Sequence, residues 1–342
     1  MKTAPAVAAG NTMIFKPSEK SPLGALVFGE LIKEAGFPPG VINIVTGGGK
    51  VGAMLAGHMD IAKVAFTGSA AAGRQVQIAA AKSNLKHCSL ELGGKSPALI
   101  FDDADLENAL EHNSQGFLLN SGQVCAAASR ILVQEGIAPK FVEGLKGAFE
   151  KFSGAMGDAS SEQVYLGPLA DKKQFDRVMG FLEEGKKDGV EVLVGGVRKG
   201  EKGQFVEPTV LLNPDGKSKV YNEEIFGPVA VMRTFKTEEE AIEMANDTSY
   251  GLGCELQFLN VQYELTYLLA TIFTNDITRA LRVAGKIQSG TVGINSAFFP
   301  SPATPFGGFK QSGYGRECGR DGLRQYLQPK TIHVNMNMPK KG

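Results

Sequence analysis

Two side chains in this sequence have the chemistry of a nucleophile and a base. Cys125 closes the segment NSGQVC, residues 120–125. A cysteine near a helix N-terminus has a lowered pKa and more thiolate, which favours a nucleophile, although a small core residue is the commoner role of a buried cysteine. Glu91 lies in LELGG, residues 90–94, at the end of an apolar stretch. Burial there would raise its pKa toward neutrality, as suits a general base for water; the alternative is a salt-bridged structural glutamate.

Two glycine-containing turns are candidates for binding phosphate. TGGGKVG, residues 46–52, contains G-x-G-x-x-G between a strand-like and a helix-like segment, which is the context of a dinucleotide-binding turn. In FTGS, residues 66–69, Gly68 allows close backbone approach and the Ser69 hydroxyl can cap a helix N-terminus, where anions bind. A plain tight turn and an ordinary N-cap are the alternatives, and both stay open.

The overall composition argues against several classes of function. Lysine plus arginine equals aspartate plus glutamate at 36 each, so neither nucleic acid nor an anionic membrane is expected as a partner. No apolar run reaches the roughly 18 residues of a membrane span. The cysteines form no CxxC pair, so we expect no disulfide, no metal site and a reducing, cytoplasmic location; they are Cys88, Cys125, Cys254 and Cys318.

Strand-like and helix-like segments alternate along the chain. The first ninety residues have predicted strands at 11–16, 41–45, 61–67 and 88–92 and helices at 23–36, 49–58 and 70–81. This alternation predicts a parallel, doubly wound α/β sheet. A second α/β run has strands at 97–101, 129–135, 190–194, 228–235 and 290–294 and helices at 105–119, 138–152 and 170–187. The tail KTIHVN, residues 330–335, alternates like an edge strand that pairs with another subunit.

Six segments, in this order, resemble the aldehyde dehydrogenase superfamily: AGNTMIFKPSE, FTGS, LELGGKSP, FLLNSGQVC, EEIFGPV and PFGGFKQSGYGRE. Their order is far more specific than any one of them. The resemblance implies an α/β, aldehyde dehydrogenase-like fold with parallel sheets. It implies an incomplete Rossmann-type, dinucleotide-binding domain over 1–93, an α/β catalytic domain over 94–310 and a C-terminal segment with an oligomerisation strand over 311–342.

The same resemblance implies a reaction and roles for particular residues. Cys125 matches the nucleophile that attacks an aldehyde, and Glu91 matches the base that activates water to release the acid. NAD is the expected cofactor and NADP the alternative, because the Glu19 carboxylate accepts ribose hydroxyls and repels a 2′-phosphate. The other implied contacts are Lys16 and Glu19 with the adenosine ribose, Gly68 and Ser69 near the pyrophosphate, Gly93 with the cofactor, Glu224 and Phe226 with the nicotinamide ribose, and Phe306 in the substrate tunnel. The expected partners are a small-molecule aldehyde and further copies or related subunits bound through the C-terminal strand.

A first departure from the family pattern lies at the N-terminus. The family carries a long region before the segment that matches residue 2 onward, and its Pro-Trp-Asn motif supplies the second donor of the oxyanion hole; Asn11 does not match that donor. Losing one such donor costs roughly 10²–10³ in rate, and missing strands would leave a parallel sheet open at an edge. The alternative function is therefore a truncated, catalytically impaired chain that acts only as a binding or oligomer partner.

A second departure is an insert at residues 254–269, which separates NDTSYGLG (246–253) from ATIFTND (270–276). The insert is apolar and aromatic, unlike a surface loop. We hypothesise that it is a translated intron, because its sixteen codons keep the reading frame and can encode splice signals; sequencing the transcript tests this. The alternative is a genuine inserted helix at a subunit surface. In either case we expect the insert to disturb the sheet that carries Glu224.

Overall fold

The computed structural model describes residues 1–253, 270–295 and 301–336. Its first half begins with a helix, α1, that was not predicted, and then alternates strands and helices in the predicted order. The helices are α1 (Thr3–Ala8), α2 (Leu23–Glu34), α3 (Gly49–Gly57) and α4 (Ala70–Lys82), and the strands are β1 (Met13–Phe15), β2 (Ile42–Ile44), β3 (Lys63–Thr67) and β4 (His87–Glu91). Ser69 caps α4, because its hydroxyl accepts the backbone N–H of Ala72 at 3.2 Å.

These four strands form two small sheets, so the prediction of one continuous sheet is wrong. β1 pairs with β2 and β3 pairs with β4, both in parallel. In the described part of the chain, no strand lies beside the second edge of β1 or of β3. The helix α2 buries none of its residues, and its Leu23 is 75% exposed. A parallel sheet needs neighbours on its edges and cover on its faces, and this half of the described chain provides neither for β1 and α2.

The second half is built on one seven-stranded sheet. Its strands are β5 (Pro97–Ile100), β6 (Arg130–Gln134), β7 (Glu191–Val194), β8 (Thr209–Leu212) and β9 (Val229–Phe235), followed, after the short β10 (Tyr250–Gly251), by β11 (Ala270–Phe273) and β12 (Val292–Ile294). The order is β12-β11-β5-β6-β9-β8-β7. All pairs are parallel except β7 with β8, which are antiparallel. The predicted parallel sheet of this half is thus confirmed, with one antiparallel edge.

Helices cover both faces of this sheet. They are α5 (Leu106–Glu111), α6 (Ala138–Gly154), α7 (Lys172–Lys187), α8 (Lys219–Asn222), α9 (Glu238–Asn246) and α10 (Ile277–Ala284). Successive strand residues point to opposite faces, so Leu132 belongs to one apolar core and Ile131 to the other. Phe181 of α7 packs in the first core and Phe141 of α6 in the second. The two cores hold the sheet rigid beneath the site.

The helix predicted over 105–119 changes its winding before it reaches the nucleophile segment. After α5 the chain forms a π-helical turn over His112–Gly116 and a 3-10 turn over Leu119–Gly122. Such π-helical turns are rare and occur frequently at functional sites. The change of winding turns the chain from the helix axis toward Cys125.

The C-terminal part of the chain pairs with a strand of the first half. It contains β13 (Phe309–Lys310), β14 (Gly313–Tyr314) and α11 (Gly319–Arg324). The strand β14 pairs antiparallel with β4, and β13 pairs antiparallel with β10. Residues 330–335 form no strand within the described chain, and Ile332 and Val334 are 74% and 70% exposed. Pairing of this tail with another subunit stays a prediction.

The insert at 254–269 lies outside the described residues. The strand β11 begins directly after it and pairs in parallel with both β5 and β12. Within the described residues β11 lies between β12 and β5. The expectation that the insert disturbs the sheet stays a prediction, because the insert itself lies outside those residues. Among the helices of the described residues, none is long and apolar enough to cross a bilayer.

Candidate active site

The segment before Cys125 has an unusual backbone. Asn120, Ser121 and Gly122 have φ of 50°, 55° and 68°, so three consecutive residues are left-handed. Only glycine adopts this conformation without strain. The left-handed run lies within the 3-10 turn Leu119–Gly122, where it reverses the chain and delivers Cys125, a half-buried thiol, to the end of the sheet.

Cys125 packs against a small apolar cluster. The cluster consists of Ala126, Leu252 and Phe306, all buried. Phe306 was predicted to line the substrate tunnel, and the structure brings it to the candidate nucleophile. Its backbone forms a two-way bridge with Glu317, in which each N–H donates to the other carbonyl at 2.7 Å.

Glu91 ends β4 and is only 4% exposed. Neither carboxylate oxygen has a hydrogen-bond partner of ordinary geometry among the described residues. Desolvation raises the pKa of Glu91 from 4.5 to about 8, with a further rise from the nearby charge of Glu317 and smaller opposing effects of Lys2, Arg316 and the Gly308 backbone. The predicted rise toward neutrality is confirmed, and its main cause is burial.

The ion pair of Lys2 with Glu317 sets the electrostatics next to Glu91. Lys2 Nζ donates to Glu317, which is largely buried, and also to the hydroxyl of Thr67 at 2.5 Å. Sequence reasoning missed both residues, because they are 315 positions apart. Glu91 itself forms no ion pair among the described residues, so it is not the salt-bridged structural glutamate of the alternative interpretation.

Two glycines place the backbone of Cys125 beside the LELGG segment and the carboxyl of Glu91 beside Gly307. A Cβ on Gly94 would lie 2.2 Å from the carbonyl oxygen of Cys125. A Cβ on Gly307, the neighbour of Phe306, would lie 2.9 Å from Oε1 of Glu91. A side chain at position 94 would collide with the backbone of Cys125, and one at position 307 would displace the Glu91 carboxyl, so glycine at these positions keeps both segments close to Phe306.

Glu224 lies on the other side of the LELGG segment. Its Oε1 accepts the backbone N–H of Gly94 at 3.2 Å, and a Cβ on Gly93 would lie 2.2 Å from its Oε2. Desolvation raises the pKa of this carboxyl to about 7, although the Gly94 hydrogen bond lowers it. The structure thus brings Gly93 and Glu224, both predicted to contact the cofactor, into direct contact.

The buried amine of Lys95 faces the same region. Its Nζ has no hydrogen-bond partner among the described residues, and burial lowers its pKa to about 7. The neighbouring guanidinium of Arg130 is also buried, but it donates to the carbonyls of Lys95, Met244 and Ala245 at 2.7–2.8 Å. Sequence reasoning missed Lys95, although its place directly after LELGG was a usable signal.

The loop around Phe226 is held from behind by α7. Phe226 is itself left-handed, with φ of 61°. Gln174 Nε2 donates to its carbonyl at 2.7 Å, and Arg177 Nη2 donates to the carbonyl of Glu224 at 2.6 Å. Both residues of α7 were missed from the sequence, because only the fold brings that helix to this loop.

The remaining predicted cofactor residues lie on the first half. Lys16 Nζ donates to the carbonyls of Pro17 and Gly47 at 2.6 and 2.7 Å, and Glu19 lies 3.9 Å from it with its side chain 59% exposed. Gly47 belongs to TGGGKVG, so the glycine turn and the KPSE segment are neighbours. Gly68 donates its N–H to the carbonyl of Glu91 at 3.1 Å, which places the FTGS turn beside the candidate base.

This arrangement fits a dinucleotide. The glycine turn, the N-capped start of α4 and the carboxylates of Glu19 and Glu224 offer backbone approach, a helix N-terminus and acceptors for ribose hydroxyls. Among the described residues, no group of three His, Cys, Asp or Glu side chains could hold a metal ion.

Comparison with known proteins points the same way. The sequence pattern of the Aldehyde dehydrogenase family matches residues 1–332. The chain is similar to aldehyde dehydrogenases of Emericella nidulans and Davidiella tassiana, at 47% and 45% identity over 98% of this chain and 64% of each relative. It therefore spans about 64% of the length of the curated relatives it matches.

Solved structures of the family superpose closely. A point mutant of betaine aldehyde dehydrogenase from Staphylococcus aureus, in complex with NAD+ and with a BME-modified cysteine, has a TM-score of 0.91 at 39% identity, covering 98% of this chain and 66% of that chain. An aldehyde dehydrogenase mutant from Bacillus cereus has a TM-score of 0.90 at 41% identity, covering 98% of this chain and 64% of that chain. The predicted α/β aldehyde dehydrogenase fold is confirmed, and the chain belongs to the aldehyde dehydrogenase family.

Proposed function

We propose that this chain oxidises a small-molecule aldehyde to a carboxylic acid with NAD+, using Cys125 as the nucleophile and Glu91 as the base. The observation that carries the proposal is their convergence on one site beside Phe306. Membership of the aldehyde dehydrogenase family and the NAD+ found in the Staphylococcus aureus neighbour support it.

The chemistry proceeds in two halves on the sulfur of Cys125. Its thiolate attacks the carbonyl carbon, and the new C–S bond gives a tetrahedral thiohemiacetal. NAD+, when bound, accepts the hydride from that carbon. The carbon is then a thioester of Cys125, and Glu91 takes a proton from water as the water attacks it. The C–S bond breaks, which releases the acid and regenerates the thiolate.

The pKa of Glu91 sets the pH range in which the thioester is hydrolysed. Only the ionised carboxylate can take a proton from water, and its pKa is about 8. Thioester hydrolysis should therefore accelerate as the pH rises toward 8 and level off above it. The apolar cluster around Phe306 excludes bulk water, which keeps the carboxyl desolvated.

Cofactor binding is assigned to the residues that surround Glu224. The Glu224 carboxylate and the Phe226 loop would hold the nicotinamide ribose, with Gly93 giving the space for close approach. At the other end, the implied contacts are Lys16 and Glu19 with the adenosine ribose and Gly68 and Ser69 with the pyrophosphate. An acidic residue at position 19 favours NAD+ over NADP+, since it repels a 2′-phosphate.

The exposed tail is proposed to join subunits. Residues 330–335 alternate apolar and polar side chains, and both Ile332 and Val334 face outward in the described chain. A strand of this kind can add to the sheet edge of a second copy or of a related subunit. The cytoplasm is the proposed location, on the basis of the cysteine pattern.

The test is NADH formation by the purified 342-residue protein with NAD+ and a simple aldehyde. We expect turnover that Cys125→Ala abolishes and that Glu91→Gln reduces at the hydrolysis step, leaving a burst of NADH. Cys88→Ala is the matched control, because Cys88 is half-buried like Cys125 but lies near the start of β4, at the opposite end of the strand from Glu91.

The alternative function predicts a different outcome. A chain that acts only as a binding or oligomer partner would bind the dinucleotide or associate with full-length relatives and form no NADH. Turnover unaffected by Cys125→Ala would contradict the proposed mechanism outright.

A further inference from the structure

The strain in the nucleophile segment must be balanced by contacts around it. Asn120 and Ser121 are left-handed although neither is glycine. Such conformations cost free energy and persist only where the surrounding structure holds them. The chain reaches Cys125 four residues after Ser121, so the direction of this run sets where the thiol lies.

Two buried side chains tie the strained run to one neighbouring segment. Ser121 is 2% exposed, and its Oγ donates to the carbonyl of Gly167 at 2.6 Å. Gln123 Oε1 accepts the backbone N–H of Ala170 at 2.9 Å, while its Nε2 donates to the carbonyl of Asn120 at 3.1 Å. Both ties lead to residues 167–170, which we call the strut.

The strut is anchored on both faces of the catalytic sheet. Leu166, just before it, is buried in one apolar core, and Leu169 is buried in the other. Leu169 N–H also donates to the carbonyl of Gln204 at 2.9 Å. A segment fixed at both ends can resist the tendency of the left-handed run to relax.

The strut also continues into the support of the proposed cofactor loop. Asp171 caps α7 by accepting the N–H of Gln174 at 2.8 Å, and Gln174 donates to the carbonyl of Phe226. The nucleophile segment touches that loop directly, because a Cβ on Gly122 would lie 2.3 Å from the carbonyl oxygen of Gly227. One rigid element thus supports both sides of the site.

We propose that Ser121 and Gln123 are positioning residues, which hold the left-handed run against the strut and so aim the Cys125 thiol. Neither needs to touch the substrate. The inference rests on the proposed function, in which Cys125 is the nucleophile. What it adds concerns the backbone conformation of residues 120–122 and the position of the Cys125 thiol. On this proposal, the Cβ of Ser121 strains the left-handed conformation, and the hydrogen bond from the Ser121 hydroxyl to Gly167 offsets that strain.

That logic gives a test with two substitutions at one position. Ser121→Ala keeps the Cβ strain and loses the hydroxyl, so the run should relax and displace the thiol. Ser121→Gly also loses the hydroxyl, but glycine adopts the left-handed conformation freely, so the run should stay in place. A role limited to one lost hydrogen bond would make the two variants alike.

The readout is the rate at which iodoacetamide alkylates Cys125, followed by peptide mass spectrometry from pH 6 to 9. Cys88 in the same molecule is the internal reference, because it is a half-buried thiol near the start of β4. We expect Ser121→Ala to slow Cys125 labelling about tenfold, or about 1.4 kcal/mol in activation free energy. Ser121→Gly should stay within about threefold of the wild type. Ser83→Ala, which removes a hydroxyl that donates to the Ala80 carbonyl at 2.9 Å, is the matched control.

A second pair of variants tests the other tie. Gln123→Leu removes both the acceptor for the Ala170 N–H and the donor to the Asn120 carbonyl, so it should lose most of the Cys125 labelling rate. Gln123→Glu keeps the acceptor and loses only the donor, so it should lose less of that rate than the leucine variant. Equal rates for Ser121→Ala and Ser121→Gly, or faster labelling in Ser121→Ala, would overturn the positioning role. If Cys125 of the wild type is labelled no faster than Cys88, that result would instead count against the proposed nucleophile.

Discussion

The unusual carboxyl of Glu91 can be measured through protein stability, without any substrate. Its pKa is raised to about 8 in the folded chain from an ordinary value of 4.5. Between these two values the unfolded chain has lost the proton and the folded chain keeps it. Because the folded state binds more protons, the free energy of unfolding falls as the pH rises through this window. Glu91→Gln removes this dependence, since glutamine keeps the shape and does not titrate.

The magnitude follows from the two pKa values. One pH unit inside the window is worth about 1.4 kcal/mol, so the wild type should lose about 3 kcal/mol relative to Glu91→Gln between pH 5 and pH 7.5. Any packing cost of the substitution is the same at both pH values and cancels in this comparison. The free energy of unfolding of Glu91→Gln should therefore rise by that amount relative to the wild type as the pH is raised.

The assay is urea unfolding, followed by circular dichroism, of both proteins at the two pH values. Glu150→Gln is the matched control, because the Glu150 side chain on α6 is 57% exposed. Its difference from the wild type should not change between the two pH values. A gain for Glu91→Gln below about 1 kcal/mol would show that the carboxyl titrates near its ordinary range, and the proposed desolvated base would be refuted.

Two further predictions concern the surroundings of the site. Glu317→Gln removes a negative charge that raises the pKa of Glu91, so the midpoint of the pH–rate profile should fall by about one pH unit; a rise would contradict the assigned sign. Gly93→Ala places a Cβ within 2.2 Å of Glu224 and should weaken NAD+ binding at least tenfold by calorimetry, about 1.4 kcal/mol. Gly147→Ala, with open space around it, is the control and should leave the affinity unchanged.

The order of motifs in the sequence was sufficient to predict the family and most of the helices and strands. Cys125 and Glu91 were recognisable because each sits in a short segment whose residue types repeat the family pattern. The rise in the pKa of Glu91 was also predictable, since a carboxyl at the end of an apolar strand must lose hydration. These inferences need only local sequence and elementary solvation.

Contacts between distant segments were beyond such reasoning. Lys2 and Glu317 meet only because the C-terminal part folds back onto the first half through β14 and β4. Gln174 and Arg177 could not be predicted as site residues, because polar residues on an amphipathic helix ordinarily face solvent. The split of the first half into two sheets also escaped prediction, since alternating strands do not reveal which edges find a neighbour.

The sequence by itself therefore determined the chemistry: a thiol, a carboxyl and glycine turns in the order of the aldehyde dehydrogenase family. Only the tertiary structure decided how that chemistry is aimed and tuned. The Lys2–Glu317 pair joins residues 315 positions apart, and the bond from Ser121 to the strut joins residues 46 positions apart. The physical reason is that side-chain identity is local, whereas desolvation, charge proximity and backbone strain depend on which segments the fold packs together.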